Sequence, residues 1–151
     1  MASDVVNRSV LRKRLAALLG TALVGDGLPV QAVYDYKTDQ FEGESPVIVV
    51  ASRGADRDKM TEVSVVNTDI LLYIFTFVLY SDEGDWGPDD SEDRLDLIEK
   101  GITDVMVDNF YDENYWISIG FDQQSQVEPI IIGSQEYQRE TFFVKADAYS
   151  D

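Results

Sequence analysis

The longest apolar stretch of the chain covers residues 70–80, and it restricts the possible folds more than any other feature. It is about half as long as the ~20 residues that a membrane-spanning helix requires. Its β-branched and aromatic residues favour a strand, and an apolar residue at nearly every position is typical of a central strand that is covered on both faces. The chain is therefore expected to build a sheet around this strand.

Helical and strand patterns surround this central strand. Apolar residues recur at helical spacing over residues 5–24 and again over residues 95–107, where Asp89, Asp90 or Ser91 can cap the second helix. Alternating or β-prone segments predict strands over residues 30–36, 46–52, 115–121, 127–132 and 138–149. The predicted order is α-β-β-β-α-β-β-β. This order predicts an α+β fold in one domain, residues 1–151, with a mixed, mostly antiparallel sheet of about five to six strands and two helices packed on one face.

The chain contains no cysteine and no histidine, which removes several kinds of chemistry. Disulfides, thiolate nucleophiles, Cys/His zinc sites and imidazole bases are all excluded. Neither of the glycine-rich phosphate-binding motifs, G-x-x-x-x-G-K-[ST] and G-x-G-x-x-G, occurs in the sequence. We therefore expect a protein that is not an enzyme, that uses no cofactor and that acts by assembly or binding.

Charge is distributed unevenly along the chain, which carries 29 acidic and 12 basic residues and a net charge of −17. Residues 1–60 hold 8 acidic and 8 basic groups, so residues 61–151 hold the remaining 21 acidic and 4 basic groups. Such a surface repels nucleic acid and anionic membranes, so no membrane partner is expected. The segregation also gives two poles of unlike charge that could meet between subunits.

An acidic loop at residues 81–93 is the candidate metal site of the sequence. Closely spaced carboxylates can hold Mg²⁺ or Ca²⁺, and two such ions could support hydrolysis of a phosphodiester. Neither Asp82 nor Asp85 begins the ligand spacing of an EF-hand, however, and carboxylates are also favoured at a helix start by the helix dipole. A solvated helix start is the preferred interpretation, and a carboxylate-metal hydrolase is the alternative.

The two tryptophans differ in their sequence context. Trp116 stands in an alternating segment with Ile117 and Ile119 and is expected in the core. Trp86 stands between two glycines in the polar loop, where an exposed aromatic side chain can anchor an interface.

The order of segments resembles the tail terminator proteins of long-tailed bacteriophages, the family of the lambda-like minor tail protein U. The segments that carry the resemblance are the first helix at residues 11–24, Leu28-Pro29-Val30, residues 43–49, the Asp-rich residues 89–93, residues 129–133, Glu136-Tyr137 and residues 140–145. The resemblance covers nearly the whole chain and includes no catalytic signature.

Membership of that family would imply a structural protein of the virion tail, assembled in the host cytoplasm. Its subunits would form a homo-hexameric ring that caps the tail tube protein, ends tube polymerisation and joins the head-tail connector or neck proteins. DNA would be only a passing cargo. Two alternatives remain: a head-completion or neck protein, and an acidic DNA mimic that inhibits a DNA-binding protein.

A ring needs a heterologous contact between two different patches, and the sequence offers two patches of opposite charge. Arg53, Arg57 and Lys59 follow the second strand, in an arm predicted over residues 53–67. The acidic loop follows the third strand. We expect the basic arm of one subunit to reach Asp89 and Asp90 of its neighbour, with Trp86 as the apolar anchor. The alternative is that these loops are solvated or that the arm pairs only with its own subunit.

Overall fold

The computed structural model describes residues 8–41, 44–57, 66–80 and 88–150. Along these residues the elements are α1 (Arg8–Leu23), β1 (Ala32–Tyr34), β2 (Val47–Arg57), β3 (Val66–Leu79), α2 (Pro88–Asp108), β4 (Ser118–Ile132) and β5 (Gln135–Ser150). The strands form one sheet in the order β1-β2-β3-β5-β4. β1 is parallel to β2, whereas the other neighbouring pairs are antiparallel.

β3 lies in the middle of the sheet, as its continuous apolar character predicts. It pairs with β2 along one side and with β5 along the other. Its alternate residues Ile70, Leu72 and Ile74 point to one core cluster, whereas Tyr73 and Phe75 pack on a second cluster. Both faces of β3 are therefore covered, which explains why so few polar residues interrupt it.

Both helices pack on the first of these faces. Leu11, Leu15 and Leu19 of α1 recur at helical spacing and are buried against it, together with Ile98 and Ile102 of α2. The two helices also touch each other. A Cβ atom added at Gly101 would lie 2.6 Å from Leu23 Cδ2, so the glycine permits this close approach.

The second face of the sheet is packed by aromatic side chains, and neither helix contributes to its core cluster. Phe41 folds over one end of it and is 2% exposed. Its ring centroid lies 4.8 Å from that of Phe77 and 6.0 Å from that of Tyr137. The connection between β1 and β2 therefore supplies part of the second core.

The predicted fold class is confirmed, with five strands, a mostly antiparallel mixed sheet and two helices on one face. The end of the predicted order is wrong, because residues 118–132 form the single strand β4. The predicted strands at residues 115–121 and 127–132 are separated by polar residues, which resemble a turn. These residues instead form an irregular part of β4, with register shifts between Phe121 and Gln123 and between Gln123 and Gln126.

Other local predictions can be compared directly with the structure. Trp116 is buried, as expected, and its indole Nε1 donates a hydrogen bond to the Asn109 carbonyl at 2.8 Å.

α2 begins at Pro88, so Asp89, Asp90 and Ser91 lie inside its first turn, and the prediction that one of them caps the helix is wrong. Proline suits a first helical position because its missing N–H would have no helical partner there. No helix in the described part of the chain is long and apolar enough to cross a membrane.

Candidate subunit interface

The base of the predicted arm is an antiparallel ladder. β2 and β3 pair out to Arg57, which lies opposite Thr68. The register shifts between Ser52 and Gly54, where Gly54 adopts a φ of 149° that other residues rarely adopt. The two-stranded arm predicted over residues 53–67 is confirmed at this base, and residues 58–65 lie outside the described chain.

Arg53 is held by its own subunit. Its Nη2 donates to Asp122 Oδ2 at 2.8 Å and to the Val144 carbonyl at 3.1 Å. The guanidinium carbon lies 5.8 Å from the centroid of the Tyr73 ring and 5.4 Å from that of Phe143. The Arg53 side chain is only 15% exposed, although its buried Nε has no hydrogen-bond partner in the described structure. For this residue the geometry matches the alternative in which an arm cation pairs within its own subunit.

The other predicted interface residues are placed only in part. The backbone of Arg57 closes β2, and that of Asp89 lies in the first turn of α2. Asp90 lies in the same turn and is exposed. Lys59 and Trp86 lie outside the described residues, as does most of the loop considered as a metal site. The arm-to-loop contact therefore stays a prediction.

The start of α2 is fixed to the far end of β3. The hydroxyl of Ser91, which is fully buried, donates to the Leu79 carbonyl at 3.1 Å. Thr68, opposite Arg57, is eleven residues away from Leu79 along β3, a distance of about 36 Å in a strand. The base of the basic arm and the acidic start of α2 therefore lie at opposite ends of one subunit.

A groove that the sequence did not predict lies between α2 and the sheet. It has a volume of about 430 Å³ and is lined by Glu92, Leu95, Asp96, Glu99, Ser125, Val127 and Glu140. Four of these seven residues are acidic. This arrangement arises because α2 presents a row of carboxylates along the side that faces β4 and β5.

Glu140 is the buried acid of this groove, with 7% of the residue exposed. Its Oε2 accepts a hydrogen bond from the Ser125 hydroxyl at 2.8 Å. Burial raises the pKa of Glu140; the hydrogen bond from Ser125 opposes this effect, and the charges of Glu99 and Asp96 add to it. One sequence signal could have revealed this residue: it shares the strand alternation of Phe142 and Val144, which both face the helices.

A second cavity, of about 490 Å³, lies on the aromatic face of the sheet. Its floor includes Val49, Phe75 and Phe77, and residues 37–39 and 130–132 border it. Arg139 borders it as well, and this guanidinium hydrogen-bonds Glu128 and lies 5.5 Å from the centroid of the Phe75 ring. Six of its ten lining residues are apolar and four are polar or charged.

The described residues include no group of three or more acidic, histidine or cysteine side chains placed to hold a metal ion. The carboxylates of the groove follow its length and do not converge on one point. No protein-family model matches the chain, and a search of curated proteins finds no relative by sequence.

Proposed function

We propose that the chain is a structural subunit of a bacteriophage tail, a tail terminator whose copies form a ring on the end of the tail tube. The ring caps the tube, ends its polymerisation and provides the joint to the head or neck. The observation that carries this proposal is the position of Arg57, at the base of the arm, about 36 Å from the acidic start of α2 at the opposite end of β3.

A closed ring joins each subunit to the next through two different patches. Patches that adjoined one another on one subunit would neutralise each other, whereas patches at opposite ends remain available to neighbours. The base of the arm carries Arg57 into a segment that also contains Lys59. The first turns of α2 carry Asp90, Glu92 and Asp93, all of which are exposed. This separation allows head-to-tail association, in which the arm end of one copy meets the helix end of the next.

The negative charge suits a ring through which DNA passes as cargo. With a net charge of −17, most of the surface repels a phosphate backbone and keeps it from adhering. The partners are further copies of the chain, the tail tube protein and the connector or neck proteins, and the protein resides in the virion. A ring subunit performs no chemical step, so this function requires neither catalytic residues nor a cofactor.

Sedimentation velocity and electron microscopy of the purified chain test this proposal. We expect a concentration-dependent oligomer that forms closed rings, with six copies as the expected number. Addition of the rings to polymerising tail tube protein should stop elongation. A chain that remains monomeric at every concentration contradicts the ring and favours the acidic DNA mimic. Rings that bind a head connector and leave tube length unchanged favour the head-completion alternative.

A further inference from the structure

The groove beside α2 contains an excess of negative charge that its own lining does not balance. Glu92, Asp96, Glu99 and Glu140 line it, and no basic residue does. The described hydrogen bond to Glu140 comes from a neutral hydroxyl. A buried carboxylate beside other carboxylates is costly unless a cation pairs with it. The groove therefore fits a cationic ligand.

The same groove has an apolar wall, which a binding site for a small metal ion would lack. Val127 lines it and is 56% exposed, and Leu95 forms the adjoining part of the lining. Apolar side chains do not coordinate ions, but they bury the aliphatic stem of a lysine or a neighbouring apolar side chain. The occupant that fits this lining is a peptide segment with a lysine or arginine beside an apolar residue.

The chain itself contains such a segment in the arm. Residues 57–60 read Arg57-Asp58-Lys59-Met60, with two cations, one anion and one flexible apolar side chain, so the segment keeps a net charge of +1. Other arginines already contact groups of their own subunit: Arg14 pairs with Asp112 and Arg53 pairs with Asp122. Arg57 ends β2, and Lys59 follows it by two residues in the sequence.

Lys59 of one copy cannot reach the groove of its own subunit. Arg57 lies opposite Thr68 and Glu140 lies opposite Thr76, so eight residues of β3, about 26 Å, separate the two rows. Lys59 follows Arg57 by two residues and so lies within about 7 Å of it. About 20 Å remains between the Lys59 backbone and the groove, which exceeds the length of a lysine side chain. A Lys59 side chain that occupies the groove therefore comes from a second copy.

We propose that the groove between α2 and β4 binds residues 57–60 of a second copy, with Lys59 beside Glu140 and Met60 against Val127. This inference rests on the proposed ring and specifies the patch that receives the arm. It places the receptor on Glu92, Asp96 and Glu99 along the side of α2 and on Glu140 of β5, and not on the loop before the helix.

Disulfide trapping between single-cysteine variants tests the contact, because the natural chain has no cysteine to interfere. Lys59→Cys protein is mixed with Val127→Cys protein under mild oxidation. The matched control is Val107→Cys, since Val107 is also an exposed valine, at 69%, and does not line the groove. We expect a crosslinked dimer with Val127→Cys and none with Val107→Cys. A third partner, Asp90→Cys, reports contact with the start of α2.

The possible outcomes distinguish a failure of the groove contact from a failure of the proposed ring. Sedimentation velocity of the unaltered chain first establishes whether copies associate, and a strictly monomeric chain contradicts the ring itself. If copies associate but Lys59→Cys crosslinks to Asp90→Cys and not to Val127→Cys, the acidic start of the helix receives the arm and the groove does not. Association without a crosslink at Val127 likewise overturns the groove contact and leaves the ring intact.

Charge reversal provides a second measurement that does not depend on oxidation. Lys59→Glu should weaken association about tenfold, which corresponds to one lost charge-assisted contact. Asp96→Lys together with Glu99→Lys should restore part of it in the Lys59→Glu chain. Asp108→Lys is the control, because Asp108 is exposed on α2 outside the groove lining. If Asp108→Lys restores association to the same extent, the restoration depends only on net charge. That result would contradict a contact in the groove.

Discussion

Arg53 and Glu140 are both largely buried charged residues of the sheet, but the interactions that they make within their own subunit differ. Arg53 pairs with the carboxylate of Asp122, donates a hydrogen bond to a backbone carbonyl and lies near two aromatic rings. Glu140 has a neutral hydroxyl donor and lies near two like charges. The cation thus has an opposite charge inside its subunit, whereas the described lining of the groove supplies no cation to the carboxylate.

This difference distinguishes a charge that stabilises the fold of its own subunit from a charge that can bind a group from a neighbour. A buried ion pair that is complete within one subunit fixes the packing of that subunit and offers little to a neighbour. A carboxylate without a counter-ion destabilises the isolated subunit and gains most from a cation supplied from outside. The comparison therefore assigns Arg53 to the stability of the fold, and it makes Glu140 the carboxylate on which the proposed groove contact depends.

Replacing Arg53 should have the largest effect on stability. Arg53→Ala leaves Asp122 without its cation and uncovers the rings of Tyr73 and Phe143. We expect the free energy of unfolding to fall by about 2–3 kcal/mol, as when one partner of a partly buried pair is removed. Urea denaturation measures this change. Lys145→Ala is the control, because Lys145 is an exposed cation of β5, and it should change stability by less than about 0.5 kcal/mol. Equal effects would show that Arg53 is not a structural cation.

Much of the fold follows from local patterns in the sequence. The run at residues 70–80 predicted the central strand, and the spacing of Leu11, Leu15 and Leu19 predicted α1 because each pattern reflects burial of the element. The continuity of β4 could not be predicted in this way. Its polar middle is tolerated because β4 is an edge strand, and edge position depends on the order of strands in the sheet.

The candidate site was less predictable than the fold. The opposite charges of the arm and the acidic loop are visible in the sequence, but their separation depends on the length and pairing of β3. The groove forms only when α2 packs beside β4 and β5, which brings Glu99 close to Glu140 across a long stretch of chain. Arg53 was expected to contact a neighbour, because the sequence does not show that Asp122 lies across the sheet from it.

Neutralising Glu140 should stabilise the isolated subunit in a pH-dependent way. The folded-state pKa is raised above the unfolded value of about 4.3, so the folded state holds its proton more tightly. The stability that this group contributes is present at pH values below the unfolded pKa and is lost as pH rises through the folded pKa. Glu140→Gln does not titrate, so it should be more stable than the natural chain at pH 7.

The advantage of Glu140→Gln should shrink towards zero below about pH 4, where the natural side chain is also neutral. Urea denaturation at several pH values measures this difference. Glu136→Gln, at an exposed position of the same strand, should show little change at any of them. A Glu140→Gln chain that is less stable at pH 7 would mean that the ionised carboxylate is already well stabilised within the subunit, and the comparison with Arg53 would fail.

The smallest effect is expected for the ion pair between Lys100 and Asp104 on α2. Their side-chain atoms Nζ and Oδ2 lie 3.0 Å apart, but the side chains are 73% and 61% exposed. Asp104→Asn should lower the free energy of unfolding by only about 0.3–0.5 kcal/mol, because solvent screens an i,i+4 pair. In 1 M salt, where the screening length is about 3 Å, even this loss should disappear. The loss caused by Arg53→Ala should persist there, because it includes ring packing and a partly buried charge. Equal salt sensitivity of the two losses would show that Arg53 behaves as a surface charge.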